Sequence, residues 1–348
     1  MIVSKIVIDK YRGLNLNLNL APLTIITGSS GSGKSSVLDA ITLLFNNLGR
    51  KVNHNDEFYI EYQIVIDEKY RRILQDLLNS LNHTWIDDKI SIVLEYHRGK
   101  FRQLVKINGE EVILLVESNN ESRIKIPIEV EIVDGSKILD SRSLKPRSTT
   151  SIELVGNVAE KYGTLMNLID TLSRYLREIS IVKLGPYIDY DEYVHVKDLN
   201  VNTDFVGTHG EYTIPILSKI YTNPSLSSEL NILRKIMRNL GFKNIKAGWI
   251  GDGLGLMYID KRGKISSKLP CHAKTILSIG SQLIILKKPS ILIIDNADYC
   301  LDSKSAEYMA KLITSFIGFK KLQAILEIHN QELLKYFTGQ YTIIHNIG

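Results

Sequence analysis

Residues 28 to 36, GSSGSGKSS, carry the side chains and spacing that hold phosphate groups. Glycines let a backbone curl so that successive amides face a β-phosphate. A following lysine bridges the β- and γ-phosphates, and a serine at a helix start binds Mg²⁺. The pattern predicts a loop that binds ATP with Mg²⁺ through Gly28, Ser29, Ser30, Gly31, Ser32, Gly33, Lys34, Ser35 and Ser36.

Two further segments place chemical groups directly after apolar runs. The run Ile291–Ile294 predicts a buried parallel strand that delivers Asp295, which we expect to hold Mg²⁺ together with Ser35. The segment LQAILEIHN predicts another buried strand followed by His329, whose imidazole would contact a γ-phosphate. An aspartate that only caps a strand and a structural histidine are the alternatives. The order of loop, carboxylate and histidine favours the functional interpretation of both residues.

The surrounding pattern indicates an α/β fold. An apolar strand at 23–27 precedes the loop, and Val37, Ile41 and Leu44 follow it at helical spacing. Alternating segments in 57–132 predict an antiparallel β layer that is interrupted by a helix at 68–82. We predict a single head with this division: 1–56 and 270–348 as nucleotide-binding core, 57–150 as β-rich layer, and 151–269 as helical and mixed lobe.

Composition restricts the partners. The net charge of +5 over 348 residues is modest, so any affinity for nucleic acid must come from local clusters. The candidates are Arg142, Lys145 and Arg147, and the group Arg234, Lys235, Arg238, Lys243 and Lys246. A solvated basic surface is the alternative interpretation of both groups.

Cysteines and apolar runs indicate the compartment. Cys271 and Cys300 lack CxxC spacing, so we expect neither a disulfide framework nor a zinc site, but small buried residues in a reducing cytoplasm. No apolar run approaches the roughly 18 residues that cross a bilayer, and the first residues lack the pattern of an export leader. The expectation is a cytoplasmic protein that does not bind membranes.

The segment IDKYRGLNLNLNLAPLTIITGSSGSGKSSVLDAI, residues 8–41, resembles the start of the ABC-class ATPase heads of SMC proteins, RecF and the OLD nucleases. Tyr11, Arg12 and Gly13 fill the aromatic-Arg-Gly turn of these heads, and the resemblance places Arg12 at the nucleotide. Stand-alone ATPases allied to RecF and OLD share counterparts of LGPYID (184–189), VGTHGEY (206–212) and EIHN (327–330). The implied fold is a P-loop NTPase of the ABC type, without a nuclease domain or a long coiled coil.

The resemblance extends to the segments that meet a second subunit. LSIGSQLIIL (277–286) is similar to the signature loop, which implies that Ser278 and Gly280 open a helix facing the partner's γ-phosphate. A plain helix cap is the alternative. DNADYCLD aligns with the Walker B and D-loop pattern and ends at Asp302, another expected nucleotide contact. No glutamine identifies a Q-loop.

Asn296 departs from the family pattern, which has a glutamate there as the proton acceptor for water. An amide cannot take that proton, so we expect slow ATP hydrolysis. Asp298 or Glu327 could replace the missing base. The family implies an ATP-dependent homodimer acting in DNA repair, chromosome maintenance or defence. The alternative is a regulatory ATP-binding module that hydrolyses little and signals to a protein partner, and a small-molecule kinase ranks last.

Overall fold

The computed structural model describes residues 2–44, 57–80, 84–85, 87–98, 100–118, 121–126, 130–134, 157–195, 197, 204–286 and 289–347. The chain divides into two units. The first comprises Met1–Ala21 and Ser35–Ile179, and the second comprises Pro22–Lys34 and Ser180–Gly348. Each unit has its own β-sheet architecture, and each is described by itself below.

The strands and helices are named in chain order. The strands are β1 (Val3–Tyr11), β2 (Leu14–Asn19), β3 (Leu23–Thr27), β4 (Phe58–Val65), β5 (Lys89–His97), β6 (Lys100–Ile107), β7 (Glu110–Ser118), β8 (Glu121–Ile126), β9 (Val130–Asp134), β10 (Ser180–Leu184), β11 (Tyr193–His195), β12 (Lys243–Ile250), β13 (Gly253–Ile259), β14 (Ile265–Ser266), β15 (Ser290–Ile294), β16 (Leu322–Glu327) and β17 (Thr342–Asn346). The helices are α1 (Lys34–Leu43), α2 (Glu68–Ser80), α3 (Asn157–Glu178), α4 (Thr213–Thr222), α5 (Ser227–Leu240), α6 (Cys271–Ile285) and α7 (Ser303–Phe319).

The first unit contains an eight-stranded antiparallel sheet in the order β2-β1-β4-β5-β6-β7-β8-β9. Strand β4 alternates buried and half-buried residues along its length, as a sheet with one core face requires. Helix α1 packs on this unit, and the hydroxyl of Tyr62 donates to the carbonyl of Ala40 at 2.5 Å. The predicted β layer and the predicted helix at 68–82 are both present, the latter as α2.

Strands β1 and β2 lie in this antiparallel sheet, although the sequence analysis assigned residues 1–56 to the nucleotide-binding core. The physical reason is the Leu-Asn alternation of β2, which leaves its asparagines exposed. A strand of a parallel core is buried on both faces and needs a continuous apolar run. β2 therefore suits a sheet with one wet face.

The second unit is built on a five-stranded sheet in the order β10-β15-β16-β3-β17, in which every described pairing is parallel. Strands β3, β15 and β16 are buried along their whole length. Parallel strands end at one edge of the sheet, so the residues after β3, β15 and β16 meet there. Helices α4 to α7 and a small sheet of β11, β13 and β12, with β14 beside β13, complete this unit.

Helix α6 is held firmly within the second unit. A Cβ atom on Gly280 would lie 2.5 Å from Leu233, so α5 approaches α6 closely at this glycine. At the other end of α6, the buried ammonium of Lys320 donates to the carbonyls of Leu283 and Ile284 at 2.8 and 2.7 Å. A cation at a helix C-terminus stabilises the helix dipole as well as the terminal carbonyls.

The two cysteines form a disulfide between Cys271, the first residue of α6, and Cys300, in the loop before α7. Their Cα atoms are 5.8 Å apart. The prediction that they would be two small buried residues without a disulfide is wrong, and Cys300 is exposed. The pairing joins positions 29 residues apart, which the tertiary fold alone brings together. Among the helices of the described residues, none has the length and apolarity to cross a membrane.

Candidate functional site

The phosphate-binding loop connects β3, which ends at Thr27, to α1, which begins at Lys34. Gly28 has φ +147°, and a Cβ atom there would lie 2.0 Å from the carbonyl oxygen of Ile347. Any side chain at Gly28 would therefore collide with the backbone that follows β17. Gly31, at φ +79°, needs glycine for its backbone conformation alone, because open space surrounds it.

Lys34 lies inside this loop with 3% of its side chain exposed. Its ammonium donates to the carbonyl oxygens of Gly28 at 3.2 Å and Ser29 at 2.6 Å. The buried hydroxyl oxygens of Thr27 and Ser32 have no hydrogen-bond partner in the described part of the chain. A buried ammonium beside two such hydroxyls has the chemistry that phosphate oxygens require, so the loop fits a nucleotide's phosphates.

Asp295 follows β15 and is 8% exposed. The ammonium of Lys183, on the neighbouring strand β10, lies 3.5 Å from its carboxylate, and the amide of Asp295 donates to the carbonyl of Leu184. Gly185, the residue after Leu184, has φ +99°, and a Cβ atom there would lie 2.1 Å from the carbonyl oxygen of Asp295. The glycine of the LGP segment is thus required by the close approach of the backbone at the end of β15.

The LGPYID and VGTHGEY segments contact each other. The rings of Tyr187 and His209 stack with their centroids 4.2 Å apart, and the amide of Gly185 donates to the carbonyl of Thr208. The sequence resemblance named these segments separately. The structure shows that they form one surface element beside the end of β10.

Asn296 and Asp298 occupy the turn after Asp295, and they differ in what they contact. Asn296 has a left-handed backbone, with φ 53°. The carboxylate of Asp298 accepts hydrogen bonds from the backbone amides of His329 at 3.1 Å and Asn330 at 2.6 Å. Asp298 therefore fixes the backbone that carries the histidine. Its predicted catalytic role stays a prediction.

Glu327 is the last residue of β16, and His329 lies two residues after it. The ring Nε2 of His329 lies 3.1 Å from Glu327 Oε1, and the two side chains are 44% and 2% exposed. The same carboxylate oxygen lies 3.9 Å from the ammonium of Lys34. A buried acid is stable where neighbouring groups compensate its charge or donate hydrogen bonds to it. Glu327 has the ammonium of Lys34 and a ring nitrogen of His329 as such neighbours. The sequence analysis named Glu327 only as a possible substitute for the missing base.

The prediction that Ser278 and Gly280 open a helix is wrong. Helix α6 begins at Cys271, and Ser278 lies in its middle with 0% exposure, accepting a hydrogen bond from the hydroxyl of Thr213 at 3.0 Å. Both residues pack inside the second unit, so neither is accessible to the nucleotide of another subunit in this conformation. Proline commonly starts helices, and Pro270 was the sequence signal for the true boundary. Its neighbours Cys271 and His272 stand at the positive end of α6 instead.

Asp302 caps helix α7, because its carboxylate accepts a hydrogen bond from the amide of Ser305 at 2.7 Å. That bond lowers the pKa of Asp302, and the charge of His272 contributes in the same direction. Burial lowers the pKa of His272, against the opposing effect of Asp302. The disulfide, Asp302 and His272 thus link the D-loop to the start of α6. Nucleotide binding by Asp302 stays a prediction.

Three of the predicted nucleotide contacts lie in the first unit: Arg12, Ser35 and Ser36. Arg12 has a left-handed backbone, with φ 50°. Its guanidinium forms an ion pair with Asp39 at 2.6 Å, which ties the aromatic-Arg-Gly turn to helix α1. Ser35 is exposed at the start of that helix. Each is held on or beside the helix that follows the phosphate-binding loop.

The two basic clusters have different outcomes. Arg142, Lys145 and Arg147 lie outside the described residues. The second cluster lies on α5 and β12, where four of its cations line a cavity of about 510 Å³ with an apolar floor: Arg234, Lys235, Arg238 and Lys246. Arg234 also stacks over the ring of Tyr221 at 4.8 Å. Binding of nucleic acid there stays a prediction.

Comparison with known proteins gives a family match over nearly the whole chain. The family model described as "AAA ATPase domain" matches residues 1–333. The lipoprotein-releasing system ATP-binding protein LolD of Protochlamydia amoebophila is 21% identical over 218 residues, which cover 60% of this chain and 87% of that protein.

Among solved structures, the SMC head domain from Thermotoga maritima aligns with a TM-score of 0.48 at 13% identity, covering 99% of this chain and 94% of that one. An SmcHead bound to the C-winged helix domain of ScpA aligns with a TM-score of 0.49 at 13% identity, covering 97% and 92%.

Proposed function

Because the chain belongs to the AAA ATPase domain family, we propose that it binds ATP with Mg²⁺, hydrolyses it slowly, and uses the bound nucleotide to control its dimerisation. The observation that carries the proposal is the meeting of Lys34, Glu327 and His329 at one edge of the parallel sheet. An ammonium at this edge can hold phosphate oxygens, and an acid and an imidazole there can position or accept a proton.

The phosphates would bind on the loop of residues 28–34, with Lys34 as the cation and Ser32 as a hydroxyl donor. Ser35 and Asp295 would hold Mg²⁺, which neutralises developing charge on the phosphates when it is bound. Among the described residues, no group of three or more His, Cys, Asp or Glu side chains could hold a metal ion.

Slow hydrolysis follows from Asn296, because an amide orients water but does not accept its proton. Positioned proton transfer contributes about 10²- to 10⁴-fold to a rate. Long-lived ATP complexes would therefore result. The alternative of a regulatory module that signals to a protein partner rests on this same residue, and it predicts ATP binding with no turnover.

Dimerisation is supported by the family resemblance, and the residues that the disulfide joins are where we expect the second copy to bind. The positive end of α6 at Cys271 and the D-loop at Cys300 are covalently linked, and α6 is 15 residues long. The end of such a helix attracts phosphate. We place this surface, in place of Ser278, opposite the γ-phosphate that is bound by a second copy. DNA repair, chromosome maintenance or defence is the process that the family resemblance favours.

Size-exclusion chromatography with light scattering tests the switch. The wild type should shift from monomer to dimer when ATP and Mg²⁺ are added, and Lys34→Ala should not shift, because the variant loses its cation on the phosphates. Lys335→Ala, an exposed lysine of the same unit, is the matched control. Urea unfolding establishes that the Lys34 variant is folded, and Lys34→Gln provides a second test. A Lys34 variant that binds ATP and dimerises normally would refute the proposal.

A further inference from the structure

Three acids lie at the carboxyl edge of the parallel sheet, and their contacts distinguish them. Asp295 pairs with Lys183 at 3.5 Å, and Asp298 accepts two backbone amides. Glu327 contacts His329 and Lys34, the two side chains expected at the γ-phosphate. Glu327 is therefore the acid whose contacts belong to the chemistry of the site.

We propose that Glu327 and His329 act as a carboxylate–imidazole pair that provides the proton acceptor Asn296 cannot provide. This inference rests on the proposed ATPase function and assigns its slow turnover to named residues. His329 is the catalytic residue and receives the proton. Glu327 is a positioning residue, which orients the imidazole and stabilises its charged form.

The burial of the two side chains determines this division of roles. His329 is 44% exposed, so a water molecule can reach its ring, whereas Glu327 is 2% exposed and lies behind it. A donated hydrogen bond from Nε2 to Glu327 leaves Nδ1 as the nitrogen that accepts a proton. Buried carboxylates fix the tautomer of an adjacent histidine in the same way in hydrolases that use a histidine base.

The chemical step balances with these two residues. The oxygen of water forms a bond to the γ-phosphorus as one of its O–H bonds breaks, and that proton moves to Nδ1 of His329. The bond between the γ-phosphorus and the bridging oxygen breaks, and its electron pair leaves with ADP. The imidazolium then returns its proton to solvent or to the released phosphate, and Glu327 offsets its charge in the interval.

The position of Lys34 relates the pair to nucleotide binding. Its ammonium lies 3.9 Å from the Glu327 oxygen that contacts His329. The lysine expected to hold the phosphates therefore faces the same carboxylate as the proton acceptor. Because both side chains lie near the same oxygen of Glu327, a movement of the lysine should change the position of the imidazole.

Glu327→Gln tests the inference, because it keeps the size of the side chain and removes the charge. Glu332→Gln, an exposed glutamate shortly after β16, is the matched control. We expect ATP affinity by fluorescence titration to change less than about threefold, and phosphate release to fall at least on the order of tenfold. The nucleotide retained after gel filtration should be ATP, and the pH profile of the residual turnover should differ from that of the wild type.

His329→Gln should cause a similar loss of turnover, and the double variant should be no slower than either single variant, because residues that act as a unit are not additive. A Glu327→Gln protein that releases phosphate at the wild-type rate with an unchanged pH profile would overturn the pair. A wild type that binds ATP but shows no turnover would also overturn it, while leaving ATP binding established. Failure of the wild type to bind ATP would instead refute the proposed function.

Discussion

Replacement of Asp298 by alanine tests whether this carboxylate fixes the catalytic histidine segment. Asp298 accepts backbone hydrogen bonds from His329 at 3.1 Å and Asn330 at 2.6 Å. Hydrogen bonds to a charged acceptor contribute about 1.5–3 kcal/mol each. Because the site is partly exposed, water replaces part of this contribution and the low end of the range applies. Asp298→Ala should therefore lower the free energy of unfolding by about 3 kcal/mol.

Asp298→Asn removes the charge and keeps the acceptor, because the same oxygen, Oδ2, accepts both of these hydrogen bonds. Neutral hydrogen bonds contribute about 0.5–1.5 kcal/mol each, so this variant should lose about 1–2 kcal/mol, less than the alanine variant. Turnover should fall more in Asp298→Ala than in Asp298→Asn, because a displaced imidazole is poorly placed to accept the proton of the attacking water. A misplacement of about 1 Å costs up to about 10²-fold. ATP affinity should change little, since Lys34 and its loop are untouched.

Urea unfolding and steady-state phosphate release measure the two effects. The unfolding midpoint should fall without a change in the slope against urea concentration, and Asp191→Ala, at an exposed position of the same unit, should match the wild type. Equal stability of Asp298→Ala and the wild type would refute the structural role of this carboxylate. A wild-type stability combined with an abolished turnover would instead identify Asp298 as the base.

Three further predictions concern the loop, the D-loop and the cysteines. Gly28→Ala should abolish ATP binding, because its Cβ atom would lie 2.0 Å from a carbonyl oxygen. Gly31→Ala should lower the free energy of unfolding by only about 1–2 kcal/mol. Equal losses of ATP affinity and of stability in the two variants, measured by fluorescence titration and urea unfolding, would contradict this. The lowered pKa of Asp302 means that the unfolded chain takes up its proton first as the pH falls. Its contribution is therefore present above about pH 4 and lost as the pH falls through the folded pKa, and Asp302→Asn should show a shallower acid loss of stability in a pH series of unfolding curves. Reduction of the disulfide, which spans 29 residues, should lower the free energy of unfolding by about 3–4 kcal/mol, and an unchanged midpoint with both thiols titrated would exclude that stabilisation.

Sequence reasoning located the phosphate-binding loop because its signals are local. Three residue types (glycine, lysine and serine) at fixed spacing, a preceding apolar strand and a following amphipathic helix all lie within a short segment of the chain. The same holds for α2, whose buried Tyr70, Leu74 and Leu78 recur at helical spacing. The position of Asp295 was equally accessible, since an apolar run that ends in a carboxylate indicates a strand that enters a site.

The signature-like segment misled the prediction because small residues have two roles in helices. Ser278 and Gly280 suggested a loop, but the fold uses them to let α6 pack closely on its neighbours, where Gly280 meets Leu233. Contacts of this kind depend on residues far along the chain. The same limitation hid the pairing of Cys271 with Cys300, which depends on the D-loop returning to the start of α6.

The backbone conformation of Asn296 explains why an asparagine, and not a glutamate, follows Asp295. Its φ of 53° lies in the left-handed region, which asparagine tolerates and which costs most other residues roughly 1 kcal/mol or more. A glutamate there would have to adopt this conformation in a turn whose later residue, Asp298, holds the histidine segment. The turn thus favours an amide that orients water, and the buried carboxylate that contacts His329 lies on β16, at Glu327. Proton transfer through His329 is the route that this division of residues leaves to the enzyme.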